Sequence, residues 1–187
     1  MFTATIFVMA LAQQGPALAC PISGEDVGKS KIAYEFAGSK FTLCCPMCVE
    51  KFKTDPAKAI KESAEAHRVV AEFQFDPVSG AHIDLERAKL FSDYNGIRFP
   101  FGIPENKKLF DASPKKYSVI PPKESRSCAV GHHPVESYAT AGGFVDFKGV
   151  RYYMCCDDCL PKMIKEPGTF APSVATHVKN PEVSKVK

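Results

Sequence analysis

The feature that most constrains the fold is a segment that occurs three times without a gap, at residues 36–60, 94–118 and 147–170. A glycine, two apolar positions behind it, a later apolar position and a proline recur in every copy. The matched sets are Gly38/Gly96/Gly149, Phe41/Phe99/Tyr152, Leu43/Phe101/Met154, Phe52/Phe110/Met163 and Pro56/Pro114/Pro167. Such self-similarity predicts one supersecondary unit that is copied along the chain.

Each copy has the pattern of a β-hairpin followed by a helix. Residues 36–41 place Gly38 between aromatic residues, which is typical of a hairpin with glycine at its bend. Cys48 and Phe52 then share one face at helical spacing, and Pro56 ends the helix. The sequence therefore predicts a small α+β protein of three hairpin-plus-helix units. We expect the units to pack into one body, because a unit of this size is not stable alone.

The repeats also predict the boundaries along the chain. Apolar residues at helical spacing after Pro56 predict a connector helix, a Pro-rich polar stretch predicts a linker, and a polar end predicts a frayed tail. The expected segments are unit 1 at 20–60, the connector helix at 61–74, unit 2 at 75–118, the linker at 119–127, unit 3 at 128–170 and a flexible tail at 171–187.

The eight cysteines fall into two groups of four with the same pattern. The groups are Cys20, Cys44, Cys45 and Cys48 in unit 1, and Cys128, Cys155, Cys156 and Cys159 in unit 3. Unit 2 holds Asp76, Gly102, Ile103 and Asn106 at the corresponding places. A bridge between adjacent cysteines is strained, and the positive end of a helix favours thiolates at its first turn. The grouping therefore favours metal ligation, with disulfides as the alternative for an exported chain.

A unit of this size needs a staple, and zinc fits a thiolate pair at the hairpin–helix junction combined with an upstream turn. We therefore predict about two ions per chain. The predicted metal ligands are Cys20, Cys44, Cys48, Cys128, Cys155 and Cys159. Candidate additional ligands are Cys45, Cys156 and His132, with His133 as an alternative to His132. For Cys45 and Cys156, a small apolar role in the core is an equal interpretation.

The expected metal follows from the ligand chemistry. Soft thiolates favour Zn(II), Cu(I) or another thiophilic heavy metal over magnesium or calcium. Three methionines also carry soft sulfur, and we assign Met47, Met154 and Met163 to packing.

These motifs resemble those of the YHS/TRASH family, in which an upstream cysteine is followed, after an aromatic strand, by a Cys-x3-Cys pair. The matching residues are Cys20, Cys44 and Cys48 in unit 1, and Cys128, Cys155 and Cys159 in unit 3. The resemblance implies tandem treble-clef-like or zinc-ribbon-like modules with a degenerate middle unit, and roles in heavy-metal trafficking, resistance or sensing. The chain departs from the pattern at Ser23 and Ser79, where the family often has cysteine. The fourth ligand of each site therefore stays open.

The start of the chain differs from the rest. Residues 1–19 carry no charge and contain an apolar stretch that is too short to span a bilayer. Small-x-small sequences at 10–12 and 17–19 fit a cleavage site, so we predict an export signal and a periplasmic or other extracytoplasmic location. Membrane association is expected only through a lipid anchor at Cys20.

Composition narrows the function. The formal net charge is +3 without a dense basic block, so we expect no nucleic-acid partner. Because no catalytic constellation stands out, we expect a non-catalytic, exported metal-binding protein in metal trafficking or resistance. Its expected partners are the ion and a metal transporter or another exported metal protein. The alternatives are a thiol–disulfide redox protein that uses Cys45 with Cys48 and Cys156 with Cys159, and a disulfide-stapled interaction module.

Overall fold

The computed structural model describes residues 17–186, so the predicted export signal lies mostly outside the described residues. The strands are β1 (Ile32–Phe36), β2 (Ser39–Leu43), β3 (Ala71–Phe73), β4 (Leu90–Tyr94), β5 (Ile97–Phe101), β6 (Lys123–Ser125), β7 (Gly143–Phe147), β8 (Val150–Met154), β9 (Val178–Lys179) and β10 (Ser184–Lys185). The helices are α1 (Pro46–Thr54), α2 (Pro56–Glu65), α3 (Pro104–Ala112), α4 (Pro114–Tyr117), α5 (Cys159–Lys165) and α6 (Pro167–Phe170). Among residues 17–186, no helix has both the length and the apolar character needed to cross a bilayer.

Three β-hairpins, β1–β2, β4–β5 and β7–β8, each precede two consecutive short helices. Each bend needs two successive left-handed residues, and the second is always glycine, as in Asn95 and Gly96 with φ of 48° and 78°. Proline occupies the first position of most helices, including α2, where no N–H partner is needed. The predicted α+β class is confirmed.

The three hairpins are divided between two sheets. The first two hairpins share a six-stranded sheet of order β10-β1-β2-β3-β5-β4, and the third lies in a four-stranded sheet of order β7-β8-β6-β9. β3 is antiparallel to β2 and parallel to β5. β6 is likewise parallel to β8. β3 leads into a turn that begins at Asp76, and β6 leads into a turn that begins at Cys128. Each turn is therefore anchored by a strand that pairs with the hairpin following it.

The predicted connector helix over residues 61–74 is wrong in its second half. α2 ends at Glu65, His67 adopts a left-handed φ of 54°, and the Arg68 N–H donates back to the Ser63 carbonyl at 2.9 Å. The chain then enters β3, which bonds to a strand on either side. Apolar spacing suggested a longer helix, but the β-branched pair before β3 and its two sheet partners favour an extended chain.

The predicted linker and flexible tail also contain strands. Residues 123–125 of the linker form β6, and Glu124 and Ser125 are buried. Residues 171–177 of the tail form a 3-10 helix anchored by buried Val174, and the last strands pair with the two sheets, β9 with β6 and β10 with β1. Pairing partners that are distant in sequence order these polar segments, and composition alone does not reveal such partners.

An aromatic core connects the three units. Phe41 packs on Phe52 with ring centroids 4.7 Å apart, and Phe99 packs on Phe110 in the same way at 4.9 Å. Phe73 of β3 touches Phe99 at 5.4 Å and Phe144 of the third hairpin at 5.7 Å. All of these residues belong to one buried cluster. The expected packing of the middle unit against its neighbours is therefore present.

Buried carboxylates add polar contacts between units 1 and 3. Glu35 of β1 accepts hydrogen bonds from Ser137 Oγ at 2.7 Å, from the Tyr138 N–H at 3.1 Å and from Gln74 Nε2 at 3.1 Å. The Tyr138 hydroxyl donates in turn to Glu124, at 2.8 Å to the nearer oxygen. Burial raises the pKa of Glu124. These contacts hold the two cysteine-bearing units in a defined relative position.

Candidate metal centres

Two clusters of three sulfur atoms lie in units 1 and 3. In each cluster all three Sγ atoms are within 4.8 Å of one another. The clusters are Cys20, Cys44 and Cys48 in unit 1, and Cys128, Cys155 and Cys159 in unit 3. The structure therefore groups these six cysteines as the sequence motif predicts, three in unit 1 and three in unit 3. We call these clusters triad 1 and triad 3.

The upstream cysteine of each triad lies at the start of a tight turn. The Cys20 N–H donates to the Glu25 carbonyl at 2.8 Å, and the Gly24 N–H donates to the Cys20 carbonyl at 2.9 Å. Gly24 has a left-handed φ of 75°, which glycine adopts without strain. Unit 3 has the same two backbone bonds: the Cys128 N–H donates to the His133 carbonyl, and the His132 N–H donates to the Cys128 carbonyl. His132 has the left-handed φ that Gly24 has in unit 1.

The other two cysteines of each triad come from the junction between a hairpin and a helix. Cys44 follows β2 directly, and Cys48 lies in the first turn of α1, which places their sulfurs 3.5 Å apart. Cys155 and Cys159 repeat the arrangement at 3.9 Å. One extended residue followed by one helical turn is therefore sufficient to aim both thiols at the upstream turn.

Backbone N–H groups surround the upstream sulfur of each triad. Burial by itself would raise the pKa of Cys20, but hydrogen bonds from the backbone at Ser23, Cys44 and Ile22 lower it to about 7. At Cys128 burial is again opposed by backbone hydrogen bonds, among them the Gly131 N–H at 3.2 Å, and the pKa is lowered. Each triad thus has one thiol whose pKa is lowered by backbone hydrogen bonds, which favours its thiolate form.

The helix cysteines behave in the opposite way. Burial raises the pKa of Cys48, and the neighbouring thiols of Cys45 and Cys44 raise it further. Burial and the neighbouring thiols likewise raise the pKa of Cys159, and that of Cys155 is raised to about 11. Only a cation can hold several thiolates at such short distances, so metal binding at either triad would release protons.

In the middle unit, the positions that correspond to the triad are joined by hydrogen bonds. Asp76 is 1% exposed, and its Oδ2 accepts from the Gly102 N–H at 3.0 Å and from Asn106 Nδ2 at 2.8 Å. Its Oδ1 accepts from the N–H groups of Val78 and Ser79 at 2.9 and 3.1 Å. Asp76, Gly102 and Asn106 correspond to the three members of triad 1. Sequence reasoning recognised these positions as lacking thiols and missed that they bond to one another.

Each triad has a fourth thiol beside it. Cys45 Sγ lies 3.4 Å from Cys48 Sγ, and Cys156 Sγ lies 3.2 Å from Cys159 Sγ. Neither belongs to the set of three mutually close sulfurs. All eight cysteines are free thiols in the structure. The separation of the extra thiols from the helix thiols is longer than a disulfide bond, and it is short enough for one ion to contact both.

The other candidate sources of a fourth ligand are the residue three positions after the upstream cysteine and the two histidines of unit 3. Ser23 Oγ is 3.4 Å from Cys44 Sγ, and Gly131 in unit 3 leaves so little room that a Cβ there would lie 2.9 Å from Cys155 Sγ. In the described residues, neither His132 nor His133 has a ring nitrogen within 4.8 Å of all three sulfurs of triad 3. Both histidines are exposed.

One methionine assignment is wrong. Met154 and Met163 are fully buried, and Met154 Sδ lies 4.0 Å from Cys128 Sγ, as packing residues should. Met47 is 74% exposed, because it occupies the outward face of the first turn of α1. Packing therefore does not account for Met47.

No family model, curated protein or solved structure matches this chain. The two triads and the α+β fold are therefore the basis for a functional assignment.

Proposed function

We propose that the chain is a non-catalytic metal-binding protein that holds one soft metal ion on triad 1 and a second on triad 3. One observation carries the proposal: the same turn, hairpin and helix bring three cysteine sulfurs within 4.8 Å of one another in two separate places. An all-sulfur ligand set suits Cu(I), Zn(II) or another thiophilic ion. Zn(II) would complete a tetrahedron with a fourth ligand.

The local geometry supports a family assignment within this proposal. A tight cysteine turn that faces a hairpin and the first turn of a helix is the arrangement that we expect of a treble-clef-like unit. We infer that units 1 and 3 are metal-binding modules of the YHS/TRASH type and that unit 2 is their degenerate copy. In this proposal the protein is exported and exchanges its ions with a transporter or another exported metal protein.

The test is native mass spectrometry with elemental analysis on full-length protein purified without added metal. Two ions per chain are expected, and Cys44→Ser or Cys48→Ser should each remove one of them. Because a structural metal site contributes several kcal/mol, the same variants should also lower the melting temperature. One or three tightly bound ions per chain, or none, would contradict the proposal.

A thiol–disulfide function is the second candidate. Cys45 with Cys48 and Cys156 with Cys159 are Cys-x-x-Cys pairs at helix starts, with sulfurs 3.4 and 3.2 Å apart. The same mass measurement separates the candidates, because each disulfide lowers the mass by two hydrogens and adds no metal.

A further inference from the structure

No unit buries the residue at the position of Cys45 and Cys156, although Cys45 lies against the edge of the core. Cys156 is exposed and Cys45 is half-buried. The corresponding residue of unit 2, Ile103, is 49% exposed although it is apolar. A small apolar residue in the core is therefore not what this position requires. Cysteine occurs here only in the two units that carry a triad, which links the extra thiol to the chemistry of the sulfur cluster.

The sulfurs of each site form a series of increasing burial. In unit 3, Cys156 is exposed, Cys155 is half-buried, and Cys159 and Cys128 are buried. Unit 1 repeats the end of this series, with half-buried Cys45 and Cys44 leading to buried Cys48 and Cys20. The extra thiol lies close to the helix cysteine and is not within reach of the whole triad. Cys48 and Cys159 therefore each belong both to the triad and to a pair with the extra thiol.

We propose that Cys156 and Cys45 are entry ligands, through which a soft metal ion bound to the thiolates of a donor passes onto the triads. This inference rests on the proposed function and adds the route by which the sites are filled. In unit 3 the exposed Cys156 thiol meets the donor complex first, because the triad sulfurs behind it are less accessible. In unit 1 Cys45 and Cys44 are both half-buried, so Cys45 adds a second accessible thiol in front of buried Cys48 and Cys20.

The transfer is a ligand exchange in which no electrons change hands. The Cys156 sulfur bonds to the ion as one donor thiolate leaves, and Cys159 replaces the next donor ligand. Cys155 and Cys128 then bond to the ion, and the bond to Cys156 breaks. Each of the four protein thiols that enter gives up its proton, and the two donor thiolates and Cys156 each take one up as they leave. One proton is released to solvent, so charge and mass balance. Unit 1 follows the same order from Cys45 inward.

The experiment uses the full-length, metal-free protein and the Cu(I) complex of glutathione without oxygen. Uptake is followed by the thiolate-to-metal charge-transfer absorption in a stopped-flow instrument. The variants are Cys156→Ser and Cys45→Ser, and each leaves the other unit intact as its own internal control. Circular dichroism verifies that the fold is retained, and competition with a Cu(I) chelator gives the final affinity.

We expect each variant to bind two ions with unchanged affinity. Uptake of one ion should slow by about tenfold in Cys156→Ser, because only less accessible thiols remain in unit 3, and by less in Cys45→Ser, because half-buried Cys44 remains in unit 1. In loaded wild-type protein, iodoacetamide should modify Cys156 and leave Cys155 and Cys159 protected. A loss of affinity together with protection of Cys156 would make it a permanent fourth ligand and overturn the proposal. Unchanged uptake rates would also overturn it. If the wild-type protein takes up no metal, the proposed function itself fails, and this is seen before any variant is compared.

Discussion

The side-chain amide of Asn106 donates a 2.8 Å hydrogen bond to Oδ2 of Asp76, at the two positions that hold Cys48 and Cys20 in unit 1. Backbone N–H groups surround Asp76 as they surround Cys20. In unit 2 the donors are Val78, Ser79 and Gly102. In unit 1 the corresponding donors to the Cys20 sulfur are Ile22, Ser23 and Cys44. The fold therefore provides an anion site at this turn whether or not thiols are present. A carboxylate with a neutral amide closes unit 2, whereas thiolates need a cation to close units 1 and 3.

Replacement of Asp76 by alanine should destabilise the protein by about 3 kcal/mol, because four N–H donors lose a charged acceptor in a buried place. The effect should be the same with and without a chelator, since the site holds no metal ligands of its own. Denaturant unfolding measures it. Asp26→Ala is the matched control, because exposed Asp26 accepts from the Gly28 N–H in a similar turn. Equal effects of the two substitutions would contradict this account of Asp76.

Replacement of Ser23 by cysteine should convert triad 1 into a four-sulfur site, because Ser23 Oγ already lies 3.4 Å from Cys44 Sγ. We expect the affinity of this site for Zn(II) to rise by roughly tenfold or more, since zinc prefers a closed tetrahedral set. Chelator competition gives the affinity, and cobalt substitution reports the number of sulfur ligands. Ser79→Cys is the control, because Ser79 occupies the same place in unit 2 without a triad. A gain at Ser79, or none at Ser23, would count against the prediction.

The stabilising contribution of Cys20 to the metal-free protein should grow as the pH rises through 7 toward 9. Its pKa is lowered from 9.0 to about 7 in the folded state. The folded protein therefore loses the proton first, and the contribution is complete above pH 9 and lost as the pH falls through 7. The difference in unfolding free energy between wild type and Cys20→Ser should grow by up to about 2 kcal/mol over this range. Denaturant unfolding with a chelator at several pH values tests it, and a difference that does not change with pH would refute it.

The isolated segment 75–118 should be unfolded. It lacks β3, whose backbone bonds to β5, and it lacks Phe73, which packs on Phe99 at 5.4 Å. A segment of this size buries too little apolar surface to fold alone. Circular dichroism and a thermal melt of the fragment, compared with the full-length chain, measure this. A monomeric fragment with a cooperative melt would show that unit 2 does not depend on its neighbours.

Local patterns predicted which cysteines lie together, because the Cys-x3-Cys pair of each triad follows short-range rules. The left-handed glycines of the hairpin bends, the prolines at helix starts and the Cys-x3-Cys spacing can all be read within a few residues. The errors occurred where a partner is distant in sequence. β3 replaces helix because β2 and β5 flank it, and β9 and β10 order the tail because β6 and β1 are available. The role of Asp76 was missed for a different reason: Cys20 and Cys48 lie almost as far apart in sequence as Asp76 and Asn106, but cysteines form a recognisable motif and an Asp–Asn pair does not.

The pairing of β10 with β1 has a consequence for association between molecules. β1 would otherwise be the outer strand of the six-stranded sheet, with its N–H and C=O groups open to a second chain. Ser184 and Lys185 cover this edge, and the Arg126 side chain donates to Ser184 Oγ at 3.2 Å to hold the cover in place. A chain without these last residues would expose the full length of β1 as an edge, whereas the two-residue β10 leaves only a short one, and short edges are poorer templates for strand addition.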